Sequence, residues 1–426
     1  MEEYKKISGI VPIDESVTEL AKKEIKDIVG FKKAIEENLD RKVSELMEII
    51  LAGGFFLDSS DIHIEPEEKQ GKIRVRVDGV LFDVLSVNLD IYNNLVSRIK
   101  LLSKLKLNIS NRPQDGRFSV LMDKSPVEIR TSSVPAEFGE SLVLRILNPK
   151  WAVNMSELGL RKDLEDILKK EIKKPNGIIL CAGPTGAGKT TTLYSFLKEI
   201  ANPEIKVITI EDPIEYHLDG ISQTSVDEQK GYSFANGLKA IVRQDPDVIL
   251  IGEIRDKETA KISLQAALTG HLVLSTVHTN NSSGAIARLE SLGEVPQNIS
   301  PALNVILGQQ FVRKICPECK TMTKPTSEEI KLIKKELIKI PHKITKIAKP
   351  KGCKACNSTG YKGRIGIFEL LIADDEMKKF ILTSPSIVDI KEKAMKKGMI
   401  LMRQDGFLKV LEGITSIEEI ERVTTE

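Results

Sequence analysis

The chain has 426 residues, of which 41% are hydrophobic and 29% charged, a composition that excludes general disorder, a fibrous repeat and a small disulfide-stapled fold. The length corresponds to about two to four domains of roughly 100 to 200 residues each. Lysine plus arginine (63) nearly balance aspartate plus glutamate (61), so the net charge of +2 creates no strong field that would favour nucleic acid or an anionic membrane.

No segment of the sequence has the pattern of a membrane anchor or a secretory signal. The longest apolar stretches, such as residues 49–57, are much shorter than the roughly 20 residues that a spanning helix needs. Residues 1–30 alternate charged and apolar positions and contain no continuous apolar core. We therefore expect a cytoplasmic chain.

The first 150 residues predict a short arm followed by an α/β domain. Residues 1–40 carry no motif and are interpreted as a short helical arm. From Arg41 a helical apolar pattern ends at Gly53-Gly54, and alternating residues on both sides of Asp78-Gly79 predict a hairpin. A helix near residues 91–107 and strands at 117–122, 127–132 and 142–147 complete the predicted domain of residues 41–150.

Residues 151–315 change to short apolar strands that alternate with helices. The strand segments are GIILCAG, KVITIED, DVILIGE and HLVLSTV. Short apolar runs bounded by Gly, Asp or Pro predict buried parallel strands joined by helical crossovers. A segment with paired cysteines follows at residues 316–357, and residues 358–426 predict a mainly helical C-terminal part.

A phosphate-binding loop is the strongest chemical motif. It fits the pattern G-x-x-x-x-G-K-[ST] between a strand and a helix and comprises Gly183, Pro184, Thr185, Gly186, Ala187, Gly188, Lys189, Thr190 and Thr191. Backbone N–H groups of such a loop bind phosphate oxygens, Lys189 reaches the terminal phosphates and Thr190 binds Mg²⁺. The alternative, a glycine-rich turn without nucleotide, does not explain the strand-loop-helix setting.

Acidic and histidine side chains follow the other predicted strands. Glu211 and Asp212 follow one strand and Glu253 another, at the edge where open α/β sheets bind ligands. These carboxylates are candidates for holding Mg²⁺ or orienting the attacking water, although an acid after a strand is also a common helix cap. His278 follows the next strand and is the candidate γ-phosphate sensor, whereas His271 at the other end is equally well a structural histidine.

Four of the five cysteines form two CxxC pairs. Cys316 and Cys319 are separated from Cys353 and Cys356 by 33 residues, and four thiolates can close a tetrahedral zinc site. Because such a site leaves no open coordination position, we predict a structural Zn²⁺; unligated cysteines are the alternative. Cys181, on the strand that enters the P-loop, is interpreted as a small buried hydrophobe.

Several independent motifs resemble those of the secretion ATPase superfamily. GPTGAGKTTTLYS, ITIEDPIEY, RQDPDVILIGEIRD and LTGHLVLSTVHTN resemble its Walker A, Asp box, Walker B and His box. SDIHIEP, RPQDGRFS, VPAEFGESLVLRIL, the CxxC pairs and GYKGRIGIFELL resemble the type II secretion and type IV pilus assembly branch. The similarity covers about residues 44–415 and departs from the family at Ala187, where Ser is usual. It also departs in the N-terminal segment, where longer relatives have a separate domain that docks on a membrane partner and this chain offers about 40 residues.

The resemblance implies an α/β chain with a PAS-like N-terminal domain, a RecA-like P-loop domain and a ring hexamer. Such hexamers hydrolyse ATP at the inner face of the cell membrane and act through an inner-membrane platform protein to assemble a pilus or pseudopilus. The similarity favours Glu211 as the residue that activates water and Glu253, with Thr190, as a Mg²⁺ ligand, although the sequence leaves the roles of the two glutamates open.

Arginines are concentrated in the domain that lacks the P-loop. Arg112, Arg117, Arg130 and Arg145 are four of only 16 arginines in a chain rich in lysine. Guanidinium in such a chain favours planar recognition of carboxylate or phosphate. In the family that the chain resembles, this domain supplies arginines to the nucleotide. Arg117 and Arg130 are therefore candidate arginine fingers, which stabilise the charge of the transition state. The alternative is that both arginines only form surface salt bridges.

Two other functions remain as alternatives. A nucleic-acid motor also uses P-loop rings, but the balanced charge and only 19 aromatic residues (12 Phe, 6 Tyr, 1 Trp) disfavour strand binding. A pilus-retraction ATPase is the nearest alternative within the family, and such proteins typically lack the four-cysteine insertion. We therefore predict an assembly or secretion motor that uses ATP, Mg²⁺ and Zn²⁺ and binds no nucleic acid.

Overall fold

The computed structural model describes residues 10–122, 125–148, 153–337 and 344–424. The chain divides into two compact units, each treated by itself. The first unit comprises Met1–Lys150 with Cys316–Lys320 and Pro350–Gly363, and the second comprises the three remaining segments. The boundary that the sequence predicts between residues 150 and 151 lies outside the described residues.

In its described residues, the first unit combines one seven-stranded sheet with four α-helices. Its strands are β1 (Ile10–Pro12), β2 (Asp61–Pro66), β3 (Gln70–Val77), β4 (Val80–Asn88), β5 (Gln114–Met122), β6 (Ser125–Ala136) and β7 (Gly139–Leu147). Its helices are α1 (Glu15–Glu24), α2 (Ile28–Glu36), α3 (Val43–Phe56) and α4 (Leu89–Leu102). The strand order is β1-β5-β6-β7-β2-β3-β4. The predicted hairpin joins β3 to β4, where Asp78 and Gly79 both adopt positive φ, as a type I′ turn requires.

Residues 10–36, which the sequence analysis assigned to an arm, are part of the core of this unit. Strand β1 pairs in parallel with β5. Val17 of α1 and Phe31 and Ile35 of α2 are buried against α3 and the sheet. The segment folds onto the domain because its apolar side chains recur at helical spacing and gain free energy only by leaving water.

The second unit contains the remaining elements. Its strands are β8 (Gly177–Ala182), β9 (Val207–Glu211), β10 (Ser222–Ser225), β11 (Val248–Ile251), β12 (Leu272–Val277), β13 (Leu303–Ile315), β14 (Thr321–Thr323), β15 (Ile347–Lys349) and β16 (Tyr361–Ile372). Its helices are α5 (Lys162–Glu171), α6 (Lys189–Ile200), α7 (Phe234–Ile241), α8 (Lys257–Leu268), α9 (Ser282–Ser291), α10 (Pro296–Ala302), α11 (Ser327–Glu336), α12 (Asp375–Ile381), α13 (Ile387–Lys396), α14 (Met402–Leu411) and α15 (Ile417–Thr424). The first residues of β16 extend into the segment grouped with the first unit.

The main sheet of the second unit brings the predicted site strands to one edge. Its order is β10-β9-β11-β12-β8-β13-β16, and β8 to β13 pair in parallel. Ile251 is in register with Ile210 and with Ser275, and Val277 is in register with Ala182. The residues that follow β8, β9, β11 and β12 therefore lie at the same edge of the sheet.

The C-terminal part contains a strand that the sequence analysis did not predict. Strand β16 joins the main sheet beside β13, and Ile367, Phe368 and Leu371 of this strand are buried. From Asp375 onward the described chain is helical, as the charged periodicity indicated. Within the described ranges, no helix is long and apolar enough to cross a bilayer.

Candidate active site and metal centre

The P-loop connects β8 to the N-terminus of α6. Gly188 precedes the helix with φ 86°, the left-handed conformation that favours glycine. A Cβ atom at Gly188 would lie 2.5 Å from the ring of Phe311, and one at Gly183 would clash with the carbonyl oxygen of Gln309. At Gly186 no atom lies within 4 Å of such a position. The loop thus fits closely against β13 on one side and is open on the other, as phosphate binding through backbone N–H groups requires.

Lys189 lies inside the loop. Its Nζ donates hydrogen bonds to the carbonyl oxygens of Gly183, at 2.7 Å, and Pro184, at 3.0 Å. Burial lowers the pKa of this ammonium, and attraction to Glu253 partly offsets that effect. The ammonium is therefore held beside the phosphate-binding backbone, and the carboxylate of Glu253 is close enough to act on it electrostatically.

Gln309 supports the loop from β13. Its Nε2 donates to the carbonyl oxygen of Ala187 at 2.7 Å, and its side chain is 2% exposed. The sequence analysis missed this residue, because its partner in the loop lies 122 residues away in the chain. This chain has Ala187 where the family it resembles usually has Ser. The difference does not affect the contact with Gln309, because the backbone carbonyl oxygen of Ala187 and not its side chain accepts the hydrogen bond.

Glu211 ends β9 and is almost completely buried, with 2% exposure. Its Oε1 accepts hydrogen bonds from Thr209 Oγ1, at 2.6 Å, and from Gln223 Nε2, at 3.3 Å, while Oε2 accepts one from the Tyr194 hydroxyl. Burial raises the pKa of this carboxyl group, and the three hydrogen bonds oppose that rise. The carboxylate is fixed by neutral donors.

Glu253 lies in more polar surroundings after β11. Its Oε2 is 3.0 Å from His278 Nε2, and its Oε1 accepts a hydrogen bond from Arg255 at 3.1 Å. Arg255 also donates to Asp212 at 3.4 Å. The structure thus brings Glu253, His278 and Asp212 together around Arg255, which sequence reasoning missed although arginine is scarce in this chain.

His271 lies at the opposite end of β12. Its Nδ1 is 3.0 Å from the carbonyl oxygen of Ala266 near the end of α8. This contact with a helix terminus supports the structural interpretation of His271. Among the two histidines that flank the strand, only His278 contacts another candidate site residue in the described part of the chain.

The two finger candidates lie in the first unit, on neighbouring strands. Arg117 of β5 pairs with Arg130 of β6, which in turn pairs with Arg145 of β7. Glu128 lies 3.7 Å from Arg117 Nη1 and 4.0 Å from Arg130 Nε, and Asp61 accepts a 3.0 Å hydrogen bond from Arg145. Arginines on adjacent strands thus form a row across the sheet, with carboxylates at its sides. Their roles toward nucleotide stay predictions.

The four cysteines of the CxxC pairs converge on one point of the first unit. Their sulfur atoms all lie within 4.8 Å of one another, and the closest pairs are 3.7 and 3.9 Å apart. Tetrahedral ligands with Zn–S bonds of about 2.3 Å would be separated by about 3.8 Å. Burial opposes ionisation of Cys356, but backbone hydrogen bonds from Cys353 and Gly360 lower its pKa to about 7. The donor set therefore fits Zn²⁺.

Cys181 does not belong to this cluster. It is fully buried on β8, and burial raises the pKa of its thiol to about 12. A thiol in such surroundings is unreactive, which agrees with its interpretation as a small buried hydrophobe.

The comparisons with known proteins all point to the same family. Residues 36–422 match the family model described as type II/IV secretion system protein. The chain is 40% identical to the type IV pilus assembly ATPase PilB of Thermus thermophilus over 419 residues, which is 98% of this chain but 47% of that protein. It is 43% identical to the type II secretion system ATPase E of Vibrio cholerae over 395 residues, or 92% of this chain and 77% of that protein. The chain thus spans about half the length of the first relative and about three quarters of the second.

Solved structures agree on the fold. The pilus retraction motor PilT with bound ADP has a TM-score of 0.61 at 25% identity, covering 88% of this chain and 96% of that chain. The ATPase DotB of Legionella pneumophila has a TM-score of 0.66 at 22% identity, covering 90% and 96%. The likeness to DotB concerns the fold alone.

Proposed function

Because the chain belongs to the type II/IV secretion system protein family and is an ATPase of that family, we propose that it works as a hexameric motor that assembles a type IV pilus or a type II secretion pseudopilus. One observation carries the assignment of the active site. The P-loop, Glu211, Glu253 and His278 all lie at the carboxyl ends of parallel strands, at the same edge of one sheet. Ligands of open α/β sheets bind at this edge.

The proposed roles follow from the surroundings of each side chain. The backbone of residues 183–191 and the Lys189 ammonium would hold the phosphates of ATP, and the hydroxyl of Thr190 with the carboxylate of Glu253 would hold Mg²⁺. When bound, Mg²⁺ neutralises charge on the phosphate oxygens. Glu211 accepts the proton of the attacking water, because its buried carboxylate has a raised pKa and no cationic partner among its described contacts. We assign to His278 the role of sensing the γ-phosphate, and its contact with Glu253 supports this assignment.

Assembly or secretion is favoured over pilus retraction by the relatives and by the cysteines. The two named curated relatives, at 40% and 43% identity, are assembly and secretion ATPases, whereas the retraction motor is 25% identical. The four-cysteine cluster agrees with the assembly and secretion branch. We propose that the ring docks at the cytoplasmic face of the membrane on a platform protein, uses no nucleic acid and holds one structural Zn²⁺ per chain.

The first test is the loss of the P-loop lysine. We expect Lys189→Ala to reduce Mg²⁺-dependent ATP hydrolysis by at least about 100-fold, because the ammonium stabilises charge that develops on the transferred phosphoryl group. Phosphate release by the purified protein is the measurement. Lys198→Ala, an exposed lysine on the same helix, is the matched control and should leave turnover unchanged. Unchanged turnover in Lys189→Ala would refute the nucleotide-site assignment.

A further inference from the structure

Tyr194 is a buried tyrosine on α6, the helix that follows the P-loop. The hydrogen-bond partners of its hydroxyl show to which group this hydroxyl donates its hydrogen. The residue is fully buried, and its hydroxyl accepts hydrogen bonds from Gln223 Nε2, at 3.3 Å, and from the backbone N–H of Glu215, at 3.4 Å. The orientation of the Gln223 amide is set because its Oε1 accepts a hydrogen bond from Leu218 N at 2.8 Å. Glu211 is therefore the acceptor for the Tyr194 proton.

The contacts of Glu211 leave an open acceptor position on the oxygen that Tyr194 holds. A carboxylate offers about four acceptor positions, two on each oxygen. Oε1 accepts a hydrogen bond from Thr209 and lies 3.3 Å from Gln223 Nε2, whose two hydrogens are shared with the Tyr194 hydroxyl and the Tyr216 carbonyl oxygen. Within the described contacts, Oε2 accepts from Tyr194 alone, so a position remains on this oxygen for a further donor. The tyrosine hydroxyl thus decides where that acceptor position points.

The position of Tyr194 on α6 links this carboxylate to the phosphate-binding loop. Tyr194 follows Lys189 by five residues on the same helix, which places it about 7.5 Å further along the axis at 1.5 Å per residue. Its ring packs edge-to-face on Tyr216, with centroids 4.6 Å apart. A single rigid helix therefore carries both the phosphate-binding lysine and the group that holds Glu211.

We propose that Tyr194 is a positioning residue for ATP hydrolysis: it orients the Glu211 carboxylate toward the attacking water and fixes that carboxylate relative to the P-loop. The inference rests on the role proposed for Glu211. The raised pKa of the buried Glu211 carboxyl group agrees with it, because a raised pKa makes the carboxylate a better proton acceptor.

The variant Tyr194→Phe tests this role, because it keeps the ring and its packing and removes the hydroxyl. We expect kcat to fall about 10- to 100-fold, the size of effect that misplacing a reacting group by about 1 Å produces, while KM for ATP changes less than about two-fold. The matched control is Tyr216→Phe. Its hydroxyl is also buried and has no hydrogen-bond partner among the described residues, so its loss should leave kcat unchanged.

A double-mutant cycle separates positioning from general packing. If Tyr194 acts through Glu211, adding Tyr194→Phe to Glu211→Gln should change kcat by less than about two-fold, because the group that is positioned is already lost. Gln223→Met removes another donor to Glu211, one that lies on β10, and should lower kcat in the same way, which keeps the test open if Tyr194→Phe fails to fold.

Each contrary result has a separate meaning. Full activity in Tyr194→Phe, equal losses in Tyr194→Phe and Tyr216→Phe, or an undiminished further loss in the Glu211→Gln background would each overturn the positioning role. Full activity in Glu211→Gln would instead overturn the role proposed for Glu211, and the positioning role with it. An inactive Glu211→Gln together with a fully active Tyr194→Phe would overturn the positioning role alone.

Discussion

Glu211 and Glu253 follow neighbouring strands, but their surroundings suit different tasks. Glu211 is almost completely buried and accepts hydrogen bonds only from neutral donors in the described part of the chain. The side chain of Glu253 is 25% exposed and contacts Arg255 and His278. A buried carboxylate with a raised pKa suits proton transfer, whereas a carboxylate at a polar edge suits a divalent cation. The surroundings of the two side chains therefore support the proposal that Glu211 activates water and Glu253 binds Mg²⁺.

Exchanging each carboxylate for its amide distinguishes the two glutamates. We expect Glu211→Gln to bind ATP as the unmodified chain does and to lose turnover by about 10²- to 10⁴-fold, the range that general base catalysis supplies. Glu253→Gln should instead raise the Mg²⁺ concentration needed for half-maximal activity. Equilibrium binding of a fluorescent ATP analogue and phosphate release measured over a Mg²⁺ titration provide both readouts.

Glu199→Gln is the matched control, because Glu199 is an exposed carboxylate on the P-loop helix, and we expect it to change neither quantity. Normal hydrolysis by Glu211→Gln would transfer the base role to Glu253. A Mg²⁺ requirement that Glu253→Gln leaves unchanged would remove Glu253 from the metal site.

The residues that could be predicted from sequence are those with local signals. Lys189 lies in a motif of adjacent residues, Glu211 is the last residue of an apolar strand, and Glu253 and His278 lie within two residues after one. Tyr194 and Gln309 could not be predicted, because their partners lie 17 and 122 residues away in the chain. Only the fold brings these residues to the site.

At the scale of elements, the two segments that carry the CxxC pairs, Cys316–Lys320 and Pro350–Gly363 (the cysteine loops), connect distant parts of the first unit. Asn357, next to Cys356, accepts a 2.8 Å hydrogen bond from Ile28 N at the start of α2. Gly363 N donates a 2.7 Å hydrogen bond to Asp78 in the β3–β4 turn. These contacts span 329 and 285 residues of sequence, so nothing in the local pattern indicated them. The predicted subdomain of residues 316–357 is instead divided, with its cysteines in the first unit and residues 321–349 in the second.

Replacing one zinc ligand should therefore disturb the first unit beyond the cysteine loops. We expect one Zn²⁺ per chain in the freshly reduced protein and well under one in Cys353→Ser, because thiolate coordination supplies on the order of 10 kcal/mol to small zinc modules. Elemental analysis measures the metal. Hydrogen exchange should become faster at residues 28–36 and in the β3–β4 hairpin, the elements that the cysteine loops contact.

Cys181→Ala is the matched control, since it removes a buried cysteine that lies outside the cluster, and the metal content should stay at one equivalent. Zinc retained in Cys353→Ser, or exchange that changes only within the cysteine loops, would contradict the predicted connection.

Strand prediction succeeded where apolar runs were bounded by turn residues. β8, β9, β11 and β12 each coincide with a predicted strand, because parallel strands buried on both faces consist almost entirely of apolar residues. β16 was missed because its first half carries Lys362 and Arg364 and only its second half is buried. The PAS-like character of the first unit stays a prediction.

At the scale of the whole molecule, the P-loop and the finger candidates belong to different units of the chain. Arg117, Arg130 and Arg145 lie side by side on three adjacent strands, and like charges directly opposite each other cost stability, about 0.2 to 1 kcal/mol per pair. Glu128 and Asp61 offset part of this cost. An additional anion would offset more of this cost, which supports the proposal that these arginines bind phosphate.

In a ring, the arginine that completes an active site is proposed to come from a neighbouring subunit, since this arrangement couples hydrolysis to movement between subunits. Fingers supplied in this way contribute about 10³- to 10⁵-fold to the rate in other P-loop enzymes, far more than a surface salt bridge. Arg130→Ala should therefore be nearly inactive, whereas Arg41→Ala, which removes an exposed arginine paired with Glu45, should keep full activity. Mixing Lys189→Ala with Arg130→Ala subunits under exchange conditions should restore part of the activity, because some interfaces then combine an intact P-loop with an intact arginine. Differently tagged subunits show whether mixed rings form. If mixed rings form and hydrolyse no ATP, Arg130 does not act across the subunit interface.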